Sequence, residues 1–206
     1  MAEKHLGMAI AVLACVSLII QTGVDYAEDD ADAHLPTVWW NMARYYTILT
    51  NLTVAVVFGA VAYGRLALRP HWAGAITLQI MLVGIVYHAL LAATHTPSGP
   101  WGEVANHGLH TVVPALVFIW WLGFASKAGL SWRDPLWWII WPLLYSAYAL
   151  IRGMLDGKFP YYFLDLPKLG PIGLLREMSI VAAGFLIFGF ILLGVARIQR
   201  PSESSK

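Results

Sequence analysis

Charge is scarce in this chain and cysteine almost absent. Asp, Glu, Lys and Arg make up 12% of 206 residues, against about 25% in an average soluble domain. The net charge is only +1, so no basic surface for nucleic acid or another polyanion is indicated. One cysteine, Cys15, excludes an intramolecular disulfide and leaves the redox compartment unread. Internal repeats, a linker and a soluble domain are also missing. What is present is apolar: 59% of the residues are hydrophobic, a membrane composition.

Six runs are long enough to span: Leu6–Val24, Thr37–Tyr63, Ala73–Ala93, His107–Ala125, Leu136–Arg152 and Ile172–Ala196. Crossing about 30 Å of hydrocarbon takes roughly 20 mainly apolar residues. A signal peptide, with Lys4 as its basic region and Ala31-Asp32-Ala33 as a cleavage-like site, is set aside for a retained first span. The expected fold is an all-α integral membrane bundle of six transmembrane helices, one domain over residues 1–206. Lys4, Arg65, Arg69, Lys127, Arg133, Arg197, Arg200 and Lys206 then share one side, and Asp25, Glu28, Asp29, Asp30, Asp32, Glu103, Asp156 and Asp165 the other, with only Lys158 and Lys168 as lysines there. The positive-inside rule puts both termini in the cytoplasm. Trp72, Trp120, Trp121, Trp132, Trp137 and Trp138 read as an inner aromatic belt, and Trp39, Trp40 and Trp101 as the outer one.

Against this background the stretch Arg44-Tyr-Tyr-Thr-Ile-Leu-Thr-Asn51 stands out. An Arg at a membrane helix centre costs roughly 2.5–3.5 kcal/mol on insertion scales, so the stretch is expected to line a cavity. Counted from the inner end of each run, Gln21, Thr47, His88, His110 and Arg152 lie 15 or 16 residues in. That is about 23 Å at 1.5 Å per residue, one polar layer shared by five helices. Arg44, Thr47 and Asn51 follow i, i+3, i+7 on one helix. His107 and His110 are i, i+3, and Tyr148 and Arg152 are i, i+4. A single Thr, Asn or His in such a helix is ordinarily interhelical glue; three histidines and two arginines at one depth favour a site.

A hydroxyl beside an imidazole is a minimal activated nucleophile, the ring taking the proton as oxygen attacks a carbonyl. Burial favours the neutral, basic ring. Asn51 or Arg44 would donate to the oxyanion, and Arg152 and His107 would anchor a substrate carboxylate or hold His110. His88, His107 and His110 could instead supply imidazoles to a haem or metal redox centre. The signal for metal is weak, and no metal or cofactor is assigned.

Three segments carry a resemblance: YYTILTN (Tyr45–Asn51), NHGLHTVVP (Asn106–Pro114) and FPYYFLD (Phe159–Asp165). In order and placement they resemble the signature blocks of the androgen-induced protein family. The resemblance implies six helices and an intramembrane threonine hydrolase of fatty acid esters of hydroxy fatty acids. It also implies Thr47 as nucleophile, His110 as base, and a bacterial-type member in an inner (cytoplasmic) membrane. Thr50, one turn on, is the alternative nucleophile; stripe geometry puts it at the edge, bonding the carbonyl of Tyr46. The partner expected is a membrane lipid or fatty-acyl ester. An acyltransferase using the same acyl-Thr intermediate is the other enzymatic reading.

Overall fold

The computed structural model describes residues 1–28 and 34–199. Asp29, Asp30, Asp32 and the cleavage-like Ala31–Ala33 lie outside the described residues, as do Arg200 and Lys206. The described chain is helical: α1 (Ala2–Glu28), α2 (Leu35–Met42), α3 (Tyr46–Ala62), α4 (Pro70–Val86), α5 (Gly99–His107), α6 (Val113–Gly123), α7 (Asp134–Trp138), α8 (Ile140–Asp156) and α9 (Leu166–Ile198). A π-helical turn, Tyr87–Leu91, extends α4, and a second, Gly108–Val112, joins α5 to α6.

The six-span expectation is corrected. Four helices are long and apolar enough to cross a membrane: Ala2–Glu28, Pro70–Leu91, Asp134–Asp156 and Leu166–Ile198. A fifth is reached only if α2 and α3, bent by 102°, count as one broken span. The run containing α5 and α6 is not among them, because Asn106, His107, His110 and Thr111 dilute its apolar half. The loop assignment built on six crossings no longer follows from that count, and the placement of the termini is not established by it. What stands is a multi-pass, all-α integral membrane protein.

Two compact units make up the chain, Met1–Leu68 with Gln79–Phe124, and Arg69–Leu78 with Ala125 onward. In the first, α1 packs chiefly on α3. Its buried Gly7, Ile10, Ala11, Ala14, Ser17 and Leu18 recur every three or four residues. Such a seam of small residues lets helices approach closely where lipid offers no hydrophobic drive between them. Leu18, Val38, Met42, Ile48 and Leu109 form a buried hydrophobic cluster in this unit. Trp120 packs edge-on against Phe58 at 4.9 Å. Trp120 and Trp121 are 1% and 0% exposed, so they are core residues, not part of an interfacial belt. Trp138 is likewise buried, whereas Trp72, Trp132 and Trp137 are exposed.

In the second unit Asp134 opens α7, its carboxylate accepting from Ser131 N at 2.6 Å and Ser131 Oγ at 2.9 Å and pairing with His71 Nδ1. Trp138 Nε1 donates to His71 O at 3.0 Å, and its ring covers Gly74, where a Cβ would lie 2.4 Å from it. The segment Phe159–Asp165 also lies in this unit. Phe159 lies against Gly153, and Asp165 caps α9 by accepting from Lys168 N. The Lys168 ammonium, 2.7 Å away, holds the Asp165 carboxyl below its ordinary range. Gly170, at φ 67°, and Pro171 kink α9 near its start.

Candidate active site

The polar stretch that interrupts the second apolar run turns out to be a corner. Residues 43–45 separate α2 from α3, and Tyr45 takes an extended φ of −93° as the N-cap of α3. Arg44 is buried in this corner and precedes the helix, so it does not continue the Thr47–Asn51 stripe as expected. Thr47 and Asn51 remain i, i+4 in the first turns of α3.

Opposite them lies the π turn Gly108–Val112. Pro114 supplies a reason for it: in an α-helix its ring would clash with the carbonyl four residues back, that of His110. Membrane helices commonly absorb a proline by local π adjustment. The change of register has a cost. Val113 N–H now donates to Gly108 O, so the Leu109 carbonyl loses its usual α-helical donor, and Pro114 has no N–H to offer. Asn51 Nδ2 fills the gap, donating to Leu109 O at 3.2 Å and to Thr47 O at 3.0 Å. Asn51 is therefore a clamp between α3 and the π turn. With both N–H groups on carbonyls, it has none directed to a substrate oxygen.

The clamp brings Thr47 Oγ1 within 3.3 Å of His110 Nε2. On the other side of the ring, His110 Nδ1 lies 3.1 Å from Asn106 O. A carbonyl only accepts, so Nδ1 carries the proton, and in the neutral ring Nε2 keeps its lone pair for the Thr47 hydroxyl. Both residues are half-buried. Tyr87, from the first π turn, stacks on His110 with centroids 4.0 Å apart, and its hydroxyl accepts from Asn106 Nδ2 at 2.7 Å.

Two glycines permit the approach. A Cβ on Gly84 would stand 2.7 Å from His110 O, and one on Gly108 would stand 2.0 Å from Ser17 Oγ. Sequence reasoning overlooked Tyr87 and Gly84, and it quoted Asn106 and Gly108 within the Asn106–Pro114 segment without giving them a role of their own. The Asn-His-Gly run before His110 and the proline four residues after it were the available signals. π turns recur at functional sites, and here two face each other.

The remaining expected residues are placed as follows. His88 is exposed and its Nε2 lies 2.9 Å from Thr111 Oγ1, while His107 is exposed at the end of α5. Thr50 is 2% exposed, and its hydroxyl bonds no group among the described residues, the Tyr46 carbonyl included. Thr53, one turn on, makes that kind of bond instead, to Leu49 O at 2.8 Å. Tyr148 and Arg152 belong to the second unit, where Arg152 Nη1 donates to Tyr148 OH at 2.9 Å and Nε lies 3.6 Å from Asp156 Oδ2. Gln21 donates to Asp25 at 2.7 Å on α1. Among the described residues no three His, Cys, Asp or Glu side chains are grouped to hold a metal ion.

No protein-family model, no curated protein and no solved structure matches the chain. The resemblance to the androgen-induced protein family is accordingly corrected. No family match supports it, and four or five spans stand where six were required. The hydroxy fatty acid ester specificity that came with the family loses its basis too.

Proposed function

We propose that Thr47 and His110 are the nucleophile and base of an acyl-ester-cleaving site that works on membrane lipids or fatty-acyl esters. One observation carries the reading: Thr47 Oγ1 lies 3.3 Å from an imidazole nitrogen whose partner nitrogen is fixed on a carbonyl, Asn106 O. Pairs of this kind are often looser without substrate. Nε2 takes the hydroxyl proton as Oγ1 attacks the ester carbonyl carbon. The bond to the alkoxy oxygen breaks, and His110 returns the proton to the leaving alcohol. Water, deprotonated by the same nitrogen, then cleaves the acyl-Thr47 ester to free acid and the threonine hydroxyl. The apolar helices around the pair suit an acyl chain.

The test is to react detergent-solubilised protein with a fluorophosphonate and locate the adduct by mass spectrometry. An adduct on Thr47, absent in His110→Gln, is expected. Labelling that is absent, or that survives Thr47→Ala, overturns the assignment.

A further inference from the structure

His110 lacks the carboxylate that a triad histidine has. Its Nδ1 faces a neutral carbonyl, and among the described residues no carboxylate bonds the ring. When Nε2 takes the Thr47 proton, the ring becomes a cation in a half-buried place, where charge is costly. A peptide dipole offsets only part of that. The group that covers the ring is Tyr87: the two planes are 25° apart with centroids at 4.0 Å.

We propose that the face of Tyr87 holds the protonated form of His110 in the place a carboxylate takes in a triad, making Tyr87 a positioning residue that acts through the base. The proposal rests on Thr47 and His110 being nucleophile and base. A cation within about 6 Å of an aromatic centroid is drawn to the negative face of the ring, and His110 lies over that face. His88 and His95 touch the same ring edge-on, at 5.1 and 5.9 Å with interplanar angles near 80° (80° and 78°). Of the three histidines around the ring, His110 is the one stacked on it. The hydroxyl of Tyr87 completes the arrangement: it accepts from Asn106 Nδ2, and Asn106 O accepts from His110 Nδ1–H. Tyrosine, base and base-orienting residue form one closed ring of contacts.

Fluorination separates the electrostatic role from packing, since it weakens the negative face while nearly preserving shape. Tyr87→Phe is compared with its mono-, di- and trifluorinated phenylalanine counterparts, introduced by nonsense suppression. The rate of Thr47 labelling by fluorophosphonate should fall with each fluorine, by about 5- to 30-fold across the series. In parallel, histidine ¹⁵N NMR, with the His110 signals assigned by their loss in His110→Gln, should show the ring giving up its proton at progressively lower pH. A flat series in both measurements, with Thr47 still labelled in the wild type, overturns the role of Tyr87 and leaves the nucleophile and base standing. If the wild type is not labelled at Thr47, the nucleophile reading fails, and the NMR series still decides the Tyr87–His110 relation: a stepwise shift supports it and an unmoved titration overturns it.

Discussion

Asn51 donates to the carbonyl of Leu109, 3.2 Å away, and so replaces the N–H that the π turn withdraws from it. The same amide donates to Thr47 O. One side chain thus ties the backbone carrying the nucleophile to the backbone carrying the base. Asn51→Ala should leave a buried carbonyl unpaired, which costs about 1–3 kcal/mol, and should slow Thr47 labelling as the two elements separate. The check pairs a thermal melt in detergent with labelling kinetics. If the melt is unchanged, the clamp is not structural.

Thr47 and Thr50 should behave oppositely. Thr47→Ala removes the only α3 hydroxyl within reach of His110 and is expected to lower ester cleavage on the order of 10⁴-fold or more, with little effect on melting. Thr50 has a buried hydroxyl with no partner among the described residues, so Thr50→Val removes an unsatisfied group at nearly constant shape. It should be neutral or stabilising by about 1 kcal/mol and keep full labelling. Labelling lost in Thr50→Val and kept in Thr47→Ala would reassign the nucleophile.

Gly108 and Ser17 should be coupled. A Cβ at position 108 would lie 2.0 Å from Ser17 Oγ and 2.9 Å from Ser17 Cβ, so rotating the hydroxyl away does not make room. Gly108→Ala should destabilise by about 1–3 kcal/mol through overpacking. Ser17→Gly removes both offending atoms and should restore most of the loss in the double variant. Additive losses in a double-mutant cycle would mean that the two helices are not in contact there.

How much of this could be read from residues alone depended on the signal. Counting depth placed Thr47 and His110 at one level, and the structure has them 3.3 Å apart. The corner at residues 43–45 has neither proline nor glycine, so a reading by breakers ran straight through it and joined Arg44 to the stripe. Span counting by length ignored how strongly Asn106, His107, His110 and Thr111 reduce the apolarity of their helix, and it could not see the 102° bend that breaks the second run. Trp120 and Trp121 match a belt in composition, yet belt and core differ only in which face packs inward. The donor role given to Asn51 failed for another reason. The competing acceptor, Leu109 O, exists only because of a π turn, and the residue that explains that turn, Pro114, was read as part of a motif. The first π turn, Tyr87–Leu91, has no proline within the next four residues, and nothing local accounts for it.

Pro114 therefore gives the sharpest separation of stability from activity. Replacing it with alanine restores an N–H four residues after His110, removes the ring that excludes the α register, and improves helix propensity. His110 O, 2.7 Å from where a Cβ on Gly84 would stand, could then accept an ordinary intrahelical bond. If the proline sustains the π turn, Pro114→Ala lets the segment relax toward α geometry, and His110 swings relative to Thr47. Melting temperature should hold or rise, while Thr47 labelling falls about 100-fold, the scale of a misplacement near 1 Å. Loss of both stability and labelling would mark Pro114 as a packing residue. Unchanged labelling would show that the π turn is sustained by the Asn51 clamp and the Gly84 contact instead. Measuring Pro114→Ala in the Asn51→Ala background tells these apart: if the clamp sustains the turn, labelling falls no further when both are replaced than with Asn51→Ala alone.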